Sequence, residues 1–143
     1  MSTEKFNIRV YGILKHPNGS FLLTNEFRGG VHMKKFVGGG LEFNEGLENG
    51  LKREFIEEME LTVQVGKLFY INDFLQVSAF NPKDQLMSIY YQVTTNDWNR
   101  VEQCILNPTK EQSFYWVTQD NLTVEDITFP IDKVVVGMLK NES

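Results

Sequence analysis

Residues 6–14 (FNIRVYGIL) and 21–27 (FLLTNEF) carry the β-branched and aromatic pattern of half-buried strands, and HPNGS between them is turn chemistry. A shorter strand is predicted over 31–37, running into Gly38-Gly39-Gly40. The pattern then changes to that of a helix at about 45–59, with Asn44 as its N-cap and Glu45 and Glu48 in the first turn, where the helix dipole favours negative charge. Residues 62–75 and 85–95 predict two further strands, with Asn81-Pro82-Lys83-Asp84 as the turn between them. FYWV at 114–117 predicts a short strand. From Pro130 a closing helix is expected, with Ile131, Val134, Val135 and Met138 spaced to cover a core. Strands on both sides of one helix and a second helix at the end predict an α/β (α+β) fold, a mixed sheet between helical layers.

Composition narrows the class without changing that picture. A chain of 143 residues with 41% hydrophobic and 23% charged residues reads as a single globular domain, 1–143. No linker, repeat or low-complexity segment divides it. The net charge of −5 argues against sustained contact with a nucleic-acid polymer, which needs clustered Lys and Arg. A small anionic substrate stays open, because a divalent cation can reverse the local sign. Cys104 is the only cysteine, so no intrachain disulfide forms. Neither a signal-peptide pattern nor a membrane-spanning run is present, and the expected location is the cytoplasm.

The stretch from Gly38 to Leu61 adds chemistry. It opens with three glycines and holds seven glutamates. On a helix Glu54, Glu57 and Glu58 share an arc of about 100°, with Phe55, Ile56 and Met59 beside them as the expected core anchor. Glu54 and Glu58 repel at i,i+4, and Glu57 and Glu58 sit at the dipole's unfavourable end. A solvated acidic face is the plain reading. Clustered hard oxygens with surplus charge also suit Mg²⁺ or Mn²⁺. The glycines either turn the chain or bring backbone close to a ligand, and without a following Lys-Ser or Lys-Thr they form no P-loop.

Taken together, the stretch resembles the Nudix box. Five residues separate Gly39 from Glu45, and seven more lead to Arg53-Glu54-Phe55-Ile56-Glu57-Glu58-Met59-Glu60-Leu61. The resemblance implies an α/β/α sandwich. It also implies hydrolysis of the phosphoanhydride in a nucleoside diphosphate linked to another group: a nucleotide sugar, ADP-ribose or a nucleoside triphosphate. Glu54, Glu57, Glu58 and the Gly39 carbonyl would hold one to three Mg²⁺ or Mn²⁺ ions. Arg53 and Glu45 would brace loop and helix, and Glu54 or a later loop glutamate would serve as base. Glu60 replaces the glycine that usually ends the helix, which suggests a changed helix exit, and Phe55 replaces an aliphatic residue.

The resemblance also makes Glu111 a candidate metal carboxylate. Lys34, Lys35, Arg28, Gly38 and Gly40 are candidate phosphate contacts, and alternation points only one of the two lysines inward. Asp132 lies where some relatives contact a nucleobase. His16 and His32 read as solvated loop residues, Cys104 as packing, and Phe114, Tyr115 and Trp116 as core or edge-strand residues. The expected partner is a small nucleotide-derived substrate, with no membrane, and a homodimer fits the family. The contrasting reading is a non-catalytic sensing module of the same fold. Such modules usually show a degraded box and an attached DNA-binding domain, and this chain has neither.

Overall fold

In the computed structural model, which describes residues 2–142, the chain forms two sheets with helices on both sides. Strand β1 (Lys5–Leu14) pairs antiparallel with β4 (Val37–Gly40) and parallel with β6 (Asp84–Thr94), which in turn pairs with β5 (Gln64–Ile71). A second, antiparallel sheet sets β2 (Phe21–Arg28) between β3 (Val31–Lys35) and β7 (Gln112–Val117). The expected mixed sheet is therefore accompanied by a separate three-stranded one.

Alternation along β1 divides the core. Val10 and Leu14 pack with Leu51, Phe55 and Met59 of α1 (Leu47–Met59) and with Val101 and Cys104 of α2 (Trp98–Leu106). Tyr11 and Ile13 face the other way, toward Ile131, Val135, Val136 and Leu139 of α3 (Pro130–Asn141). That is an α/β/α arrangement. Among the described residues no helix is long and apolar enough to cross a membrane.

Several boundaries differ from the sequence reading for local reasons. The strand expected over 31–37 breaks at Phe36, whose fully buried ring sits where the chain passes from one sheet to the other. The glycines then continue as strand β4. The strand expected over 62–75 stops at Ile71, because buried Asn72 donates to the carbonyls of Phe74 and Leu86 and accepts from Ser88 N–H. The Asn81–Asp84 turn forms, with Asp84 N–H on the Asn81 carbonyl at 3.0 Å, and closes a longer loop.

Helix α1 starts later than expected. Asn44 adopts φ 70° and turns the loop, which asparagine tolerates, and the cap position falls on Gly46 without a side-chain bond. Glu45 thus precedes the helix, and only Glu48 lies in its first turn. Ile56 is exposed and does not anchor the core as expected. In α3 the buried face is rotated: Val134 and Met138, expected to cover the core, are exposed, while Asp132, Val136 and Leu139 are buried. Helix α2 was not expected from the pattern. Asp97 caps it by accepting from Arg100 N–H at 3.1 Å.

The helix exit is not rerouted by Glu60. Its backbone takes the left-handed conformation, φ 50° and ψ 39°, and its N–H donates to the Ile56 carbonyl at 2.9 Å. A non-glycine residue occupies the usual turn and carries the strain.

Candidate active site

One arginine ties the glycine loop to α1. Arg53 donates through Nε and Nη2 to the two oxygens of Glu45, both at 2.9 Å, and through Nη2 to the Gly40 carbonyl at 3.0 Å. Its Nη1 reaches Glu57 at 3.0 Å and Glu54 at 3.2 Å. Glu45 also accepts from Glu42 N–H at 2.9 Å. These bonds hold the Glu45 carboxyl down at about 2, chiefly through Arg53, and the same pairing raises Arg53. Gly50 makes the brace possible, since a Cβ there would lie 2.7 Å from Glu45 Oε2.

The carboxylates of α1 divide. Glu54 lies against β4 so closely that a Cβ on Gly39 would stand 2.6 Å from its Oε1. Glu58 points inward and accepts from Gln112 Nε2 at 2.7 Å through Oε1, while its Oε2 is buried with no partner. Burial pushes Glu58 up to about 7, opposed by Gln112 and Lys35 and reinforced by Glu26 and Glu54. Burial raises Glu54 too, against the pull of Arg53. Glu57 is more exposed and turned toward Arg53.

Glu54 and Glu58 border a cleft of about 520 Å³ with Arg9, Glu26, Arg28, Gly38, Gly39, Gly40, Glu111 and Gln112. Gln112 and Glu26 are paired in register across β7 and β2, so one side chain links Glu58, Glu26 and Thr24. Lys35 is buried and pairs with Glu26 at 3.2 Å. In this arrangement no three His, Cys, Asp or Glu side chains converge tightly enough to hold one ion, among the described residues. The donor chemistry nevertheless fits a hard cation: two inward carboxylates are raised by burial, and one oxygen lacks any partner.

A second cavity of about 240 Å³ adjoins the cleft, sharing Arg9, Glu26 and Arg28. Its floor holds Asp132, which accepts from the Tyr90 hydroxyl. Burial pushes Asp132 up to about 6, against the Tyr90 bond and the charges of Lys35 and Arg9. Phe129 and Phe80 pack near its mouth, with ring centroids 6.3 Å apart.

The structure therefore gathers Glu54, Glu58, Arg28, Gly38, Gly39, Gly40 and Glu111 around one cleft and puts Asp132 in its neighbour. Glu111 is an exposed rim residue whose carbonyl accepts from Phe27 N–H at 2.7 Å. Lys34 and Lys35 line neither cavity: Lys34 is exposed, and Lys35 is committed to Glu26. His16 is not a free loop residue. Its ring lies 4.9 Å from Trp98 and 5.2 Å from Trp116, and Nδ1 accepts from Asn18 N–H. His32 is exposed and packs on Phe27 at 4.7 Å. Cys104 is buried against the Met59 carbonyl, as a packing residue would be.

Sequence reasoning missed Arg9, Glu26 and Gln112. The available signal was a charged or amide residue on a strand otherwise spent on core, but their convergence depends on strand register.

The NUDIX domain family model matches residues 5–136. No curated protein matches the chain significantly. Solved structures share the fold at low identity. The MutT protein from Methanosarcina mazei Go1 is 18% identical with a TM-score of 0.70, over 97% of this chain and 96% of that one. The E. coli ORF135 protein is 17% identical with a TM-score of 0.69, over 93% and 87%. The DNA mismatch repair protein MutT from methicillin-resistant Staphylococcus aureus 252, described as a family Nudix hydrolase, is 22% identical with a TM-score of 0.66, over 99% and 100%. The matched span takes in both sheets, the braced helix and half of the closing helix, and the chain belongs to the Nudix family of pyrophosphohydrolases.

Proposed function

We propose that this enzyme hydrolyses the phosphoanhydride of a nucleoside diphosphate derivative with Mg²⁺ or Mn²⁺. The candidate substrates are a nucleotide sugar, ADP-ribose or a nucleoside triphosphate. The observation that carries the reading is Glu58 Oε2, buried without a partner beside Glu54 in an open cleft. A buried acceptor that lacks any donor is costly, and a cation removes that cost.

In this reading Glu54, Glu58 and the Gly39 carbonyl hold the cation. Glu57, turned toward Arg53, and Glu111 on the rim would complete the donor set. Bound there, a divalent ion supplies charge neutralisation at the phosphate oxygens and makes water a better nucleophile. Arg53 and Glu45 act as positioning residues, because their paired bonds fix the glycine strand relative to the helix. Gln112 holds Glu58 in one rotamer by donating to Oε1. Glu54 or Glu111 takes the proton of the attacking water. The neighbouring cavity receives the nucleoside, with Asp132 facing the base. One domain spanning 1–143 and a cytoplasmic enzyme, monomeric or homodimeric, complete the proposal.

The test is a panel of nucleotide sugars, ADP-ribose and nucleoside triphosphates, each incubated with Mg²⁺ or Mn²⁺ and followed for nucleoside monophosphate. Metal-dependent release from at least one class supports the reading. Binding without turnover across the panel would favour the sensing module instead.

A further inference from the structure

The Arg9 guanidinium sits at the seam of the two cavities with its terminal nitrogens unused. Arg9 and Tyr11 lie on the same face of β1, and Arg9 Nε donates to the Tyr11 hydroxyl at 2.7 Å. The Tyr11 ring centroid is 5.8 Å from Cζ, so the guanidinium sits off the hydroxyl edge of the ring. The hydroxyl acceptor on Nε thus aims the head. Among the described residues Nη1 and Nη2 donate to no acceptor, and Arg9 joins no ion pair.

The other cations near the cleft are committed or exposed. Lys35 is 3.2 Å from Glu26, and Arg53 is occupied by Glu45, Glu54, Glu57 and Gly40. Arg28 is 70% exposed and 3.8 Å from Glu26. Arg9 borders both the cleft and the Asp132 cavity. Its Nη1 lies 3.7 Å from where a Cβ on Gly40 would stand, next to the glycine that seats Glu54. Burial works against its charge, but Tyr11, Glu54 and Glu26 outweigh burial and hold it protonated.

We infer that Arg9 is a specificity-determining residue whose two free Nη groups bind the phosphate joined to the nucleoside, at the seam between the carboxylate cleft and the Asp132 cavity. A planar guanidinium with two parallel donors matches two oxygens of one phosphate. With the reacting anhydride over Glu54 and Glu58 and the nucleoside beside Asp132, the phosphate between them falls to Arg9. The inference rests on the proposed hydrolysis of a nucleoside diphosphate derivative in this cleft. It adds the requirement that the phosphate nearest the sugar be anionic.

The probes are AMP, GMP, CMP and UMP, titrated by calorimetry in EDTA into wild type, Arg9→Gln, Arg9→Lys and Tyr11→Phe. Thermal melts and hydrolysis kinetics accompany each protein. Wild type should bind at least one monophosphate, and Arg9→Gln should weaken it about tenfold or more. KM should rise by a similar factor while kcat changes little, and lysine should restore part of the loss. Tyr11→Phe keeps the charge but loses its aim, and should fall between wild type and Arg9→Gln. If Arg9→Gln does not fold, the lysine and phenylalanine variants carry the comparison. Equal affinity in wild type and the folded Arg9 variants, or no monophosphate binding by wild type, overturns the role of Arg9. Binding that depends on Arg9 without hydrolysis of any substrate would instead defeat the hydrolase reading and leave the phosphate site standing.

Discussion

Glu60 occupies the helix exit in a conformation that glycine adopts freely, so Glu60→Gly should stabilise the protein. At φ 50° and ψ 39° a Cβ crowds the following carbonyl, which costs about 1–2 kcal/mol. Glycine returns roughly 0.5–1 kcal/mol of this through the greater freedom of the unfolded chain. The Glu60 carboxylate lies 3.7 Å from Arg100 Nη2, but its side chain is 81% exposed and the contact is screened by water. Negative charge at a helix C-terminus is itself unfavourable, which offsets that contact. The Arg100 bond from Nε to the Met59 carbonyl, 2.7 Å, does not involve Glu60 and remains.

The net gain is about 0.5–1 kcal/mol, or a rise in Tm of roughly 2–4 °C for a domain of this size. Glu60→Ala is the necessary control, because it removes the same charge and ion pair while keeping the Cβ. Urea unfolding of the three proteins should rank glycine above alanine by about that amount, with hydrolysis unchanged. A glycine variant no more stable than the alanine variant would refute the strain argument.

Three further outcomes follow from the geometry. Asp132 is lifted from its usual 3.8 to about 6, so its contribution to stability is fully present below about 4 and is lost as pH rises through 6. Asp132→Asn should accordingly gain on wild type by up to about 3 kcal/mol between pH 4 and 7 in urea titrations, and a constant difference would contradict the assignment. Gly39→Ala places a Cβ 2.6 Å from Glu54 Oε1 and forces the carboxylate aside. Turnover should drop by about 10–100-fold while stability moves by less than about 1 kcal/mol, and unaltered turnover would remove Glu54 from the machinery. Glu111→Gln should lower kcat by about tenfold with little change in KM, whereas Lys110→Gln should not. Equal effects at the two positions would point to a general disturbance of the loop.

The box was legible because its geometry is local. Arg53, Glu54, Glu57 and Glu58 lie within two turns of one helix, and Glu45 is near enough in sequence for its spacing to be read. Its partners were not legible, since Gln112 and Glu26 meet Glu58 only through the register of β2 and β7. Sequence shows the charge of Lys35 that makes it a candidate phosphate contact, but hides Glu26 3.2 Å beside it. The face of α3 was misjudged because a buried aspartate is unexpected until Tyr90, 42 residues away, supplies its hydrogen bond. Helix α2 is nine residues long, and its short run of Trp98, Val101 and Cys104 gives too few turns for the period to stand out.

The claim on which the account turns is that Glu58 belongs to a metal-dependent hydrolytic centre. Glu58→Gln keeps the size and the acceptor for Gln112 but removes the charge. The decisive measurement is the rate of nucleoside monophosphate release from the preferred substrate, for wild type and this variant, with Mg²⁺ and again with excess EDTA. The account predicts that EDTA abolishes the wild-type reaction. It also predicts that the variant, folded and at least as stable as wild type at pH 8, is slower by about 10²–10³-fold. Hydrolysis undiminished in EDTA, or a variant as fast as wild type at limiting metal, would contradict it.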